Sequence, residues 1–95
     1  MVQFFIRGMG LYNRQNKVVA VARGNSLYDK DDRRVATVRG SDLYDAENRK
    51  MMSLRGNDVL DAEDIKVASL PEVQKSIDGT LASMILASLW FCFVR

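Results

Sequence analysis

Four arginines stand 16 residues apart, at Arg7, Arg23, Arg39 and Arg55, and each is followed by glycine. A guanidinium group presents five donors in a planar fork that fits phosphate, sulfate or carboxylate oxygens. Four of them gathered by a symmetric fold would form a ring able to hold such an anion, so this column is the candidate binding site. The competing reading is local: each arginine pairs with an aspartate or stacks on a tyrosine of its own repeat. Tyr12, Tyr28 and Tyr44 form a second column. They either line a stacking surface for a base or a sugar, or cover the outer side of the fold, each hydroxyl reaching water or a backbone group.

Other reactive types are scarce. The chain has no histidine. That removes the commonest general base, the Ser-His and Cys-His nucleophile pairs, and most zinc geometries. The one cysteine, Cys92, lies beside Trp90, Phe91 and Phe93, where burial raises a thiol pKa and leaves it inert. Acidic runs at Asp29-Asp31-Asp32 and Asp61-Glu63-Asp64 lack the twelve-residue loop, central glycine and terminal glutamate of an EF-hand. Turn chemistry accounts for them. Repeated, near-identical polar columns serve a fold's symmetry, whereas a catalytic site needs unlike groups to converge. No catalytic residue, metal site or cofactor is assigned, and the chain is read as a non-enzyme. A net charge of +2, with both signs along the chain, argues against a nucleic-acid partner. The N-terminus MVQFFIRG shows no signal peptide, and a single cysteine fits a reducing compartment; a cytoplasmic location follows.

The elements that position these columns come from a repeat. RGMGLYNRQNKVVAVA (7–22), RGNSLYDKDDRRVATV (23–38), RGSDLYDAENRKMMSL (39–54) and RGNDVLDAEDIKVASL (55–70) align without a gap. Such self-similarity is the first thing to read in a chain. Each unit predicts a β-hairpin, with one strand through LYD and another through VAVA, VATV, MMSL or VASL. Asn16, Asp32, Asn48 and Asp64 fall where a three-residue loop needs a left-handed residue, which Asn and Asp tolerate best after glycine. The Asn/Asp at 13, 29, 45 and 61 bonds its own turn backbone. Glycine after each arginine permits the backbone angle of the next connection. One hairpin cannot bury its own apolar face. Four can, and closure removes exposed strand edges. Small residues at Ala20, Ala36 and Ala68 suit a crowded axis. The expectation is mainly β: four 16-residue hairpin repeats in a pseudo-fourfold closed arrangement, with residues 2–6 as an extra strand that helps close it.

The units Gly24 to Arg33 and Gly40 to Arg49, with looser copies at Gly8 and Gly56, resemble the four-fold β-flower family, small bacterial domains of repeated G-x-x-[LIV]-Y-D-x-x-[GN]-[RK] hairpins. The resemblance covers about two-thirds of the chain. It implies a fold and no established activity. The chain departs from it at the usual turn glycine, which is Asn or Asp here, and in the fourth copy, which lacks the tyrosine. A weaker likeness is to the tyrosine-aspartate repeats of large bacterial surface toxins, whose units are longer.

After residue 70 the period stops. The organisation is therefore a repeat domain, 1–70, and a C-terminal apolar helix, 71–95. Ser69 and Glu72 predict a capping box, with Pro71 in the first turn. Val73, Ile77, Leu81 and Met84 trace one helical face, and Gly79 bends the helix or splits it in two. Twelve of residues 80–94 are apolar on all sides. A helix of that kind is buried or in a membrane. Fifteen residues span roughly 22 Å, short of the 30 Å bilayer core. Burial against the repeats or a partner subunit is favoured; a membrane anchor is the alternative. Leu60 and Ile65 replace polar residues of the other copies, as expected if the helix covers the fourth unit. So small a chain offers little surface to bury the helix, which points to a homo-oligomer, most simply a twofold dimer, through Leu81, Met84, Ile85, Leu89, Trp90, Phe91 and Phe93. The function this implies is a non-enzymatic interaction or assembly module. The alternatives are a membrane-associated protein and a small-anion binder using the arginines.

Overall fold

A computed structural model describes residues 3–95. Each repeat forms the hairpin its turn residues dictate. Asn16, Asp32, Asn48 and Asp64 all have φ of 64 to 67°. In the second unit Asp29 Oδ1 accepts from the amides of Asp31 and Arg33 at 2.9 and 3.0 Å. The Asp32 amide donates to the Asp29 carbonyl at 3.0 Å. The other three loops repeat this pattern. A type I turn closed by a left-handed residue adds a bulge beside the tyrosine column, seen as a register shift at Tyr12, Tyr28, Tyr44 and Leu60. Successive hairpins are joined by two-residue loops whose first residue is the repeat glycine, with φ of +59 to +61°. Glycine at that position is the type II′ arrangement, whose twist matches the strands.

The strands are β1 (Phe4–Arg7), β2 (Gly10–Asn13), β3 (Val18–Arg23), β4 (Ser26–Asp29), β5 (Arg34–Arg39), β6 (Asp42–Asp45), β7 (Lys50–Arg55), β8 (Asp58–Asp61), β9 (Lys66–Ser69) and β10 (Ile77–Asp78). They form one sheet in the order β10-β1-β2-β3-β4-β5-β6-β7-β8-β9. All neighbours are antiparallel except β10, which lies parallel to β1. The sheet is open, so the expected pseudo-fourfold closure is corrected. Residues 4–7 pair with β2 and β10 rather than closing a ring, and Val2 lies outside the described residues.

The segment after β9 is also not one helix. It forms α1 (Leu70–Ser76), β10, α2 (Ser83–Leu89) and a π-helical turn, Trp90–Val94. Ser69 caps α1: its Oγ accepts from the Glu72 amide at 3.4 Å and donates to Glu72 Oε1 at 3.1 Å. Val73 and Ile77 are buried as expected, but Ile77 belongs to a strand. Gly79 makes the break. Its φ is +115°, and a Cβ there would stand 2.7 Å from Ile6 Cβ. Only glycine allows the chain to pass so close to β1.

Ten strands about 4.8 Å apart would measure about 43 Å if laid flat. The longest dimension of the molecule is 34 Å. The sheet therefore coils, and α2 sits inside the coil. Leu86, Ala87, Ser88 and Leu89 are consecutive and all buried. Four consecutive helical residues cover every side of a helix, so it is surrounded. The sheet meets it with paired side chains: Leu11 faces Ala20, Leu27 faces Ala36, Leu43 faces Met52 and Val59 faces Ala68, all at most 3% exposed. α1 packs on both β9 and β10, bridging the two edges of the sheet. The two segments split at residue 70 thus share one core. Of the two kinds of burial expected for the apolar helix, against the repeats or against a partner subunit, the chain's own sheet supplies the first for its middle.

Candidate functional site

The arginines end β1, β3, β5 and β7, strands that run in the same direction at every second place in the sheet. They form a row along one end of the sheet, about 10 Å from one to the next by strand spacing. Arg23 lies across from Ser26, and Val21 across from Tyr28. Arg23 and Tyr28 are thus diagonal cross-strand neighbours on one face, within reach of each other. The guanidinium carbon of Arg23 stands 5.1 Å from the Tyr28 ring centroid, that of Arg7 5.5 Å from Tyr12, and that of Arg39 5.0 Å from Tyr44. The ring face attracts the cation. Leu60 gives Arg55 no ring, and Arg55 stands 3.9 Å from Asp64. Arg23 also pairs with Asp32 at 2.9 Å. The local reading of the column describes these contacts: stacking in three units and an aspartate in two.

The tyrosines alternate with the buried Leu11, Leu27 and Leu43, so they stand on the outer face. They are half-buried and already covered in part by arginine. Ser53, also on that face across from Asp42, is buried and donates to Asp42 Oδ1 at 2.8 Å.

The helix positions are spent mostly inside. Leu89 is fully buried. Leu81, Met84, Ile85, Trp90, Phe91 and Phe93 are half-buried and pack on the core. Arg95 caps the segment, 4.5 Å from the Phe91 ring centroid. Burial pushes the Cys92 thiol up to about 11.

Asp29 and Asp61 in the acidic runs are used as turn acceptors. Among the described residues no group of three or more Asp, Glu, Cys or His is arranged to hold a metal ion, and no concave pocket is found. No helix of the described residues is long and apolar enough to cross a membrane.

Ile65 is a correction. It is not covered by the helix; it is 58% exposed. α2 packs instead on β5 and β7, nearer the middle of the sheet. Val18 is exposed too, at 36%. The column comparison that singles out Ile65 would single out Val18 as well. Lys17, Arg33, Arg49 and Ile65 form one column, and Val18, Arg34, Lys50 and Lys66 the next. Each column has one apolar exception, in the first or the fourth unit.

Comparison with family models, with curated proteins and with solved structures finds no match.

Proposed function

We propose that this chain is a non-enzymatic interaction module that assembles through the surface of its sheet. One observation carries the reading: each repeated polar column does the same structural task in its successive units. The Asn/Asp column holds the turns, and the arginine column caps rings or meets aspartate. Unlike reactive groups do not converge, as a reaction would require. The enclosure of α2 moves the contact surface from the helix to the loops and outer face of the sheet. Sedimentation velocity on the full chain from about 10 to about 100 µM tests this, a range that detects micromolar association. A defined oligomer is the expected result. A monomer at every concentration overturns the reading.

The small-anion alternative draws on the arginine row. The guanidinium groups of Arg7, Arg23 and Arg39 each lie on a tyrosine ring of their own repeat, so an anion shared by two of them would have to draw them off those rings. Thermal stabilisation by phosphate or a carboxylate metabolite, lost in Arg39→Ala, would favour it over assembly.

A further inference from the structure

We propose that two copies of this chain join end to end, the first hairpin loop of each docking on the fourth hairpin loop of the other. This rests on the reading of the chain as an interaction module and names its partner and contact residues. The four three-residue loops share one backbone geometry, down to the left-handed residue and the aspartate or asparagine acceptor. Their charges differ in order along the sheet. The first loop and its base carry Arg14 and Lys17 and no acid. The second carries Lys30, Arg33 and Arg34 against Asp31 and Asp32, and the third Arg49 and Lys50 against Glu47. The fourth carries Glu63 and Asp64 against Lys66 alone. The series runs from basic, through two mildly basic loops, to acidic. Whole repeats follow the same trend. The first has Arg7, Arg14 and Lys17 with no acid, while the fourth sets Asp58, Asp61, Glu63 and Asp64 against Arg55 and Lys66.

A second observation points to the same two loops. The two positions at the base of each loop read Lys17-Val18, Arg33-Arg34, Arg49-Lys50 and Ile65-Lys66. The inner hairpins are doubly cationic there. Only the terminal hairpins exchange one cation for an apolar side chain, and both exchanged residues are exposed. No packing within the chain accounts for Ile65, which is 58% exposed. Charge complementarity and an apolar contact thus coincide, Lys17 facing Glu63 while Val18 meets Ile65. Lys17 and Glu63 are both exposed, and neither forms an ion pair among the described residues.

The geometry selects a closed pair. All four loops follow even-numbered strands, so all lie at the same end of the sheet. A twofold axis at that end brings both contacts together at once, the self-complementary arrangement of a dimer. Opposed charges steer such an encounter and set its register, and screening weakens it.

The experiment is sedimentation equilibrium on the full chain and on Lys17→Glu, Glu63→Lys, the double variant carrying both, and Ile65→Arg. All these side chains are exposed, and circular dichroism checks that each variant folds. The wild type is expected to dimerise about tenfold more weakly or worse when salt rises from about 50 to about 500 mM. Each single charge reversal is expected to be monomeric where the wild type is a dimer. An equimolar mixture of the two single variants regains the dimer, because both contacts in the mixed pair are again opposite in sign. The double variant regains it for the same reason. Ile65→Arg weakens the dimer without lowering the melting temperature. Single reversals that still dimerise, or a mixture that stays monomeric, overturn the inference. If association persists but ignores charge and Ile65, the contact lies elsewhere and the module reading stands. A wild type that is monomeric throughout removes both.

Discussion

Leu43 stands directly across from Met52, and neither is accessible to solvent. In the other three units the residue at the place of Met52 is alanine: Ala20, Ala36 or Ala68. The third unit therefore puts a long flexible side chain where the others leave room. β7, which carries Met52, is one of the two strands α2 packs on most closely. Methionine is suited to filling an irregular gap of this kind. Met52→Ala is expected to cost about 2–5 kcal/mol through lost burial and a cavity. Ala36→Met, at the equivalent place on β5, is expected to cost about 1–3 kcal/mol by overpacking. Urea unfolding of the two variants measures both, and a neutral Ala36→Met would show that the coil has slack beside the helix.

Asn48 has a φ of 67° and closes the third loop. The left-handed region costs an ordinary L-residue about 1–2 kcal/mol, and asparagine less. Asn48→Val is expected to lose about that amount, while Asn48→Gly stays within about 0.5 kcal/mol of the wild type or gains slightly. Thermal melts resolve the difference. Equal stability for the two variants would mean the loop rearranges.

Asp45 carries the acid dependence that can be placed on a single group. Its Oδ1 accepts from the Arg49 amide at 2.9 Å, which lowers the carboxyl pKa below the ordinary 3.8 against a smaller opposing effect of burial. The Glu47 amide and the Arg49 guanidinium add to the lowering. A depressed folded-state value means that the carboxylate stabilises the fold above 3.8 and that this contribution is lost as pH falls through the folded-state value. Melting temperature is expected to drop on acidification below about pH 4, and to drop less in Asp45→Asn. An acid limb of unchanged depth in that variant would assign it to other carboxylates.

Cys92, with its thiol pushed up from 9.0 to about 11, holds about 100-fold less thiolate at pH 8 than a free cysteine would. Alkylation by iodoacetamide is expected to be slow in the folded chain and fast in denaturant. Similar rates in both would mean that the turn Trp90–Val94 opens readily.

The parts of this fold legible in the sequence are those decided within a few residues. The left-handed positions, the aspartate and asparagine acceptors of the turns and the Ser69 cap each depend on neighbours at most four positions away. Residue type alone announces them. Arg23 on Tyr28 was one of two readings and becomes visible once the hairpin register is known, because the pair meets diagonally across strands. The open edge could not be read the same way. Whether β9 pairs with β1 depends on coil and twist summed over all the strands, and no residue reports that sum. Gly79 was marked as a break, but its approach to Ile6 joins residues 73 positions apart. Ile65 was misread because an apolar residue in a polar column was assigned to an inside surface when it stands outside.

Enclosure of α2 also sets an order of events when the chain is made. Strands β1 to β9 precede the helix that fills them, so during synthesis at about 5–20 residues per second the sheet emerges before its own centre exists. Until residues 83–94 arrive, Leu11, Leu27, Leu43 and Val59 have nothing to cover them. The hairpins form early, since their contacts are local, but the final packing waits on partners far along the chain. The nascent sheet is therefore the vulnerable state of this molecule, and the completed helix acts as the latch that ends it.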